Sequence, residues 1–211
     1  MEESKHIELN EAKWDKWANS LDGEGWRYDY LRRGQSDVIS LLDIREGNSI
    51  LDVGCGTGWA LGQVARLIDD KGSFYGVDLS SKMIEKAKKK FQARDNFHFI
   101  QSNAESIPLD ENLFDAIICT NSFHHYLYPD RALKETYRLL KTGGKVYILD
   151  PTADIWIIKI IDKLIHLLEP GHVKMYSTKE FKELIVGAGF IYEGHKTLRI
   201  SQKVHIGEKW I

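Results

Sequence analysis

Cysteine is scarce in this chain. Cys55 and Cys119 are too few for a disulfide framework or a cysteine-rich zinc site. An excess of charge is lacking too, since 29 Lys and Arg face 31 Asp and Glu for a formal net charge of -2. Coating a polyanion requires surplus Lys and Arg to neutralise phosphates, so nucleic acid is not an expected partner. No apolar run approaches the ~20 residues that cross a bilayer. The opening MEESKHIELN has neither the basic start nor the apolar core of a signal peptide. No internal repeat, low-complexity tract or interdomain linker is visible. What remains is a chain of 211 residues with 43% hydrophobic and 28% charged side chains, the balance of a soluble cytoplasmic protein. Its length suits one domain with a sizeable core.

From about Asn48 onward, short apolar runs alternate with helical patterns, which predicts an α/β fold around a parallel sheet. Ser49–Val53, Phe74–Val77, Phe97–Gln101, Phe114–Thr120 and Lys145–Leu149 read as strands. Between them, Ser81–Phe91 carries Met83, Ile84, Ala87 and Phe91 on one face. Arg131–Leu140 follows Pro129 and precedes Gly143-Gly144, which reads as a stop signal. Near the C-terminus Ser177 and Glu180 have capping-box spacing ahead of Phe181, Leu184, Ile185 and Ala188, and Gly189 closes that helix. Two strands follow, Tyr192–Leu198 and one near Ile200–Ile206, which fit a returning hairpin at the sheet edge. Within the single domain, 1–35 form an aromatic arm, 36–150 the core, 151–176 a candidate cap, and 177–211 the closing helix and strands.

The chemistry concentrates in Ile50–Gly58, ILDVGCGTG: an apolar strand, then Gly54, Gly56 and Gly58 around Cys55, then a helix from Trp59 to Ile68. Such glycines permit a tight turn and close ligand approach, with helix amides pointing at the site. Asp78 ends the second strand, where a carboxylate can accept the hydroxyl hydrogens of a ribose. The pattern describes a nucleoside crevice. A dinucleotide loop spaces its glycines G-x-G-x-x-G, whereas here the loop is G-x-G-x-G and bulky Trp59 follows. Asp52, two residues before the first glycine, suits a cationic group better than a pyrophosphate. S-adenosylmethionine, with an amino group, a sulfonium and no phosphate, satisfies that charge logic; a nicotinamide-dependent oxidoreductase is the weaker alternative.

With these residues the sequence resembles the class I S-adenosylmethionine-dependent methyltransferases, in the small single-domain group that includes quinone-ring methyltransferases. The resemblance runs from about Asn48 to Phe190. It rests on ILDVGCGTG, on YGVDLSSKMIEKAKKK, on SNAESIPL and on FDAIICTNSFHHYLYPDRALKETYRLLKTGGKVYILD, in the family's order and spacing. It implies a Rossmann-like, doubly wound, mostly parallel seven-stranded sheet with an antiparallel edge strand. It also implies roles. Gly54, Gly56 and Gly58 would line the methionine portion, with Asp52 near its amino group; Asp78 would hold the ribose and Leu79 pack on the adenine. Asn103 and Ala104 would meet the adenine edge, and the backbone of Thr120 and Asn121 the methionine end. Asn103 stands where the family most often has Asp, and its amide oxygen can still accept a hydrogen bond.

Methyl transfer from an activated sulfonium needs alignment above all, so few catalytic residues are expected. His124 and His125, after the fourth strand, are the candidates for a base. His98, His166, His172, His195 and His205 have no metal-site spacing, and no metal is expected. In the arm, Tyr28 and Trp17 are candidates to close over the sulfonium by cation–π attraction. The Ile-rich stretch 151–172 reads as a wall or lid of an apolar acceptor pocket, with packing on the arm or a dimer interface as rivals. A grip for a DNA base is missing, because Thr120-Asn121-Ser122-Phe123 replaces N/D-P-P-Y. The expected acceptor is a small or lipophilic metabolite handled by a monomer or homodimer. A non-catalytic cofactor-binding relative would carry the same motifs.

Overall fold

A computed structural model describes residues 3–18, 26–168, 171–199 and 201–210, without the side chains of 26–28. Two helices come first, α1 (Glu3–Trp17) and α2 (Trp26–Ile39). The core then alternates: β1 (Ser49–Val53), α3 (Trp59–Leu67), β2 (Ser73–Asp78), α4 (Ser81–Lys90), β3 (Phe97–Gln101) and β4 (Phe114–Thr120). A 3-10 turn over Phe123–His125 leads to α5 (Pro129–Leu139) and β5 (Leu140–Pro151). The chain finishes with α6 (Trp156–Leu168), α7 (Thr178–Gly187), β6 (Ile191–Arg199) and β7 (Gln202–Glu208). The seven strands form one sheet in the order β3-β2-β1-β4-β5-β7-β6. β7 runs antiparallel to both neighbours, with β6 outermost, so a returning hairpin completes the sheet as the sequence pattern implied.

The order reverses beside β1, and β1 and β4 are adjacent and parallel. Such a reversal leaves a crevice beyond the carboxyl ends of the strands. Both sheet faces are covered. Ile50, Leu61, Val64, Phe74 and Phe91 belong to one core layer, and Leu51, Val53, Phe114, Leu133 and Phe181 to the other. That is why β1 and β4 read as almost unbroken apolar runs. The local signals also hold: Ser80 caps α4 by accepting the Met83 N–H at 3.1 Å, and Ser177 and Glu180 complete a capping box on α7. Gly143-Gly144 acts differently from its reading as a helix stop. α5 has already ended at Leu139, and the pair sits in a bulge between Leu140, opposite Phe114, and Lys145, opposite Ala116. There Gly143 takes φ +76°, and Lys209 donates to the Gly144 carbonyl at 2.9 Å.

Candidate active site

Between β1 and α3, Gly54, Gly56 and Gly58 take φ of +81°, +53° and +77°, conformations costly for residues with a Cβ. Their surroundings differ. A Cβ on Gly54 would lie 2.4 Å from Ser122 Oγ, and one on Gly58 3.0 Å from the rings of Phe91 and Phe99, whereas one on Gly56 meets nothing within 4 Å. Gly54 and Gly58 therefore serve the protein's own packing, and Gly56 faces the crevice. The N–H groups of Gly54 and Cys55 both donate to the Val77 carbonyl, at 2.8 and 3.0 Å, tying the loop to the end of β2.

Two acids flank the loop. Asp78 accepts the Gly56 N–H at 2.8 Å and the Ser80 N–H at 2.9 Å, one on each oxygen. Burial raises its pKa against the pull of these hydrogen bonds. Asp52 shares the sheet face of Ile50, toward α3, because strand side chains alternate. It is fully buried, and neither oxygen has a hydrogen-bond partner among the described residues. Burial first, then the charge of Asp78, pushes its pKa up to about 8. Burial also pushes up the thiols, Cys55 well above its ordinary range and Cys119 to about 12, so both are protonated and unreactive at neutral pH.

A cavity of about 210 Å³ opens over this floor. Its wall contains Gly54, Cys55, Gly56, Asp78, Leu79, Asn103, Ala104, Thr120, Asn121 and His125, bringing together most residues singled out in the sequence. Gly58, Asp52 and His124 stand behind the wall rather than in it. The outer side is closed by His6, Asn10 and Trp14 of α1 and by Leu31, Arg32 and Gln35 of α2. Trp14 takes the place expected for Trp17, its ring 5.2 Å from His125 in an edge-on contact. The side chain of Tyr28 lies outside the described residues. Several contacts strap α1 over the cavity. Asp15 accepts the Ser80 hydroxyl at 2.5 Å, Gln101 donates to Glu11 at 2.9 Å, and His6 donates to the His125 carbonyl at 2.9 Å. No motif marks His6, Asn10, Trp14 or Gln35, because only docking of the two N-terminal helices brings them here. Ser122 and Tyr126, hydrogen-bonded to each other at 2.8 Å, also line the wall.

The histidines after β4 are both anchored. His125 donates through Nδ1 to the Gly171 carbonyl at 3.0 Å, and burial, then the neighbouring His124, drives its pKa down to about 2. It is a poor proton acceptor at neutral pH. His124 Nδ1 lies 2.8 Å from the fully buried Asp150. Among the described residues, none of the 151–172 stretch is in the cavity wall. No residue of α6 is buried; Trp156, Leu167 and Leu168 are 71%, 78% and 81% exposed.

Residues 51–148 match the family model described as a methyltransferase domain. The demethylmenaquinone methyltransferase of Staphylococcus epidermidis is 31% identical over 206 residues, covering 90% of this chain and 84% of that protein. The chain belongs to the class I S-adenosylmethionine-dependent methyltransferases. The ubiquinone/menaquinone biosynthesis C-methyltransferase UbiE of Haemophilus ducreyi is also 31% identical, over 56% of this chain; the match spans only 47% of that protein. Among solved structures, an S-adenosylmethionine-dependent methyltransferase from Aquifex aeolicus superposes with a TM-score of 0.72 at 22% identity, over 92% of this chain and 98% of that one, a likeness of fold.

The methyltransferase's own residues fit its cofactor. A buried acid with two unpartnered oxygens under the loop suits a ligand that brings a positive charge. Asp78 is positioned for a ribose, and Gly56 leaves room for close approach. Asn103 Oδ1 accepts the Glu105 N–H at 3.2 Å, which leaves its amide NH2 and one lone pair for an adenine edge. Among the described residues no helix is long and apolar enough to cross a membrane.

Proposed function

We infer that this methyltransferase acts on a small lipophilic acceptor, with a quinone-type ring carbon as the first candidate and a phenolic oxygen as the second. The observation that carries the reading is the character of the cavity beyond the glycine loop. Val53, Trp14, Tyr126 and Leu127 line it, and Glu3 and Glu105 are its acids outside the cofactor floor. The names of the two bacterial relatives support the same acceptor class.

When bound, S-adenosylmethionine supplies an activated methyl group on a sulfonium. Asp52, buried behind the cavity wall, would act on the positive amino group through its charge or through water, and Asp78 would accept from the ribose hydroxyls. Leu79, Asn103 and Ala104 would hold the adenine side. Strapped down by Asp15 and His6, α1 excludes water from the methyl-transfer space. Alignment of acceptor, methyl and sulfur accounts for several kcal/mol of the barrier. A ring carbon made nucleophilic by its own hydroxyl needs no strong base beside it, in keeping with the low basicity of His125.

Calorimetry with S-adenosylhomocysteine and with NAD separates a methyltransferase site from a nicotinamide site; binding of the former alone is expected. Turnover of methyl-labelled cofactor against quinones, phenols, amines and carboxylates then reads the acceptor class. Transfer confined to amines or carboxylates would overturn the lipophilic-ring reading. No transfer to any acceptor would mark a non-catalytic relative.

A further inference from the structure

Three histidines to which the proposed methyl transfer gives no role converge at the cavity wall, where His125 is part of the lining and His124 and His172 lie behind it. His124 and His125 come from the turn after β4, and His172 from the segment leading to α7. His125 and His172 are buried, and the His124 side chain is 14% exposed. Ring centroids lie 4.1 Å apart for His124–His125, 5.5 Å for His124–His172 and 6.1 Å for His125–His172. One ring nitrogen from each lies within 4.8 Å of the other two.

Each ring is also held from outside by one nitrogen. His124 Nδ1 meets Asp150 at 2.8 Å, His125 Nδ1 meets the Gly171 carbonyl at 3.0 Å, and His172 Nε2 meets Asp162 at 2.7 Å. All three of these partners are acceptors, so each of these nitrogens carries the ring's N–H. A neutral imidazole that donates from one nitrogen keeps a lone pair on the other. Nε2 of His124, Nε2 of His125 and Nδ1 of His172 are thus left as acceptors, and they have no hydrogen-bond partner among the described residues.

We propose that His124, His125 and His172 form a binding site for a divalent transition metal, Zn2+ by its donor set. Three imidazole nitrogens suit zinc, cobalt or nickel, whereas magnesium and calcium take oxygen ligands. A carboxylate or backbone carbonyl on the far nitrogen is the arrangement that orients ligating histidines and raises their basicity. Asp150 still has one buried oxygen without a partner, which adds negative potential next to the cluster. Tetrahedral ligands about 2.0–2.1 Å from zinc lie about 3.3 Å from one another, so nitrogens within 4.8 Å of one another close by up to about 1.5 Å on binding. The metal would link the turn after β4 to the segment beside α6, whose Asp162 accepts from both His172 Nε2 and the Met175 N–H. Three protein ligands leave a fourth position for water or a substrate oxygen. His125 also lines the cavity, so the cluster borders the cavity at that residue.

The test uses the full chain without a histidine tag, stripped with a chelator and titrated with Co2+ and Zn2+. One equivalent is expected to bind with micromolar or tighter affinity. Co2+ should give the visible absorption of a tetrahedral nitrogen site, and Zn2+ should raise the thermal midpoint of the wild-type protein. His124→Ala and His172→Ala should each weaken binding by at least about tenfold and lose the absorption, while His195→Ala, outside the cluster, keeps both. Circular dichroism of the metal-free variants reports whether they fold, and the wild-type titration decides even if they do not. Absence of stoichiometric binding in the wild type overturns the proposal, as does binding that keeps its affinity in both cluster variants. Titration of the same wild-type sample with S-adenosylhomocysteine reads the cofactor site separately, so failure of one assignment is not mistaken for failure of the other.

Discussion

At the scale of single residues, the site depends on two carboxylates with opposite duties. Asp78 is already hydrogen-bonded to the loop it supports. Its replacement by Ala would remove the acceptor proposed for the ribose and orphan two backbone donors. Asp78→Ala should weaken S-adenosylhomocysteine binding by roughly 1.5–3 kcal/mol in calorimetry, on the order of 10- to 150-fold. Asp52 has no hydrogen-bond partner among the described residues, and its pKa is pushed up to about 8. Because its folded pKa lies above the unfolded 3.8, the native state binds the extra proton, and stability contributed by this group falls as pH rises between those values. A cationic ligand favours the ionised carboxylate. Cofactor-product binding at pH 7 should therefore release most of a proton, and affinity should increase from pH 6 toward 8. Calorimetry in buffers of different ionisation enthalpy reads the release, and Asp52→Asn should abolish it.

Within the loop, Gly54→Ala should destabilise the fold by more than about 1 kcal/mol, since φ +81° and the Ser122 contact at 2.4 Å both oppose a Cβ. Chemical denaturation measures this. Gly56 has open space on its outer side but a φ of +53°, so Gly56→Val should weaken ligand binding and also cost fold stability through backbone strain. A variant that binds S-adenosylhomocysteine at wild-type strength would show the crevice to be elsewhere.

Among the elements, α7 and α1 illustrate two kinds of legibility. The capping box of Ser177 and Glu180 was readable from spacing, and α7 starts where it said. Ser177→Ala should cost about 1 kcal/mol in urea denaturation while leaving cofactor binding intact, because α7 is remote from the cavity. α1 carries no such mark. Its covering role comes from partners far away in sequence: Asp15 with Ser80, Glu11 with Gln101 and His6 with His125. Aromatic content pointed to the arm in general. Which tryptophan faces the site was a matter of helix rotation, and that choice fell on Trp14.

For the whole molecule, the fold followed closely from pattern. Five parallel strands were recognisable because strands covered on both faces are apolar on both faces, and the glycine loop located the crevice where the strand order reverses. The face of α6 is a property of the assembled protein. Its isoleucines and leucines looked like an element destined for burial, yet no residue of α6 is buried. Leu164→Glu and Leu167→Glu should consequently shift the thermal midpoint little, with stability changes within about 0.5 kcal/mol. A large loss would mean that this helix packs against something in solution.

Taken alone, the amino-acid sequence determined the strand order's building blocks, the glycine loop and the acids beside it, because each is a local matter of periodicity, backbone freedom and residue spacing. Tertiary structure decided what depends on distant segments meeting. It set Trp14 rather than Trp17 in the cavity wall, left Asp52 buried without a partner, and brought His172 to His124 and His125 across nearly fifty residues of chain. Convergence of that kind is encoded in the packing of whole elements, and no spacing along the chain records it.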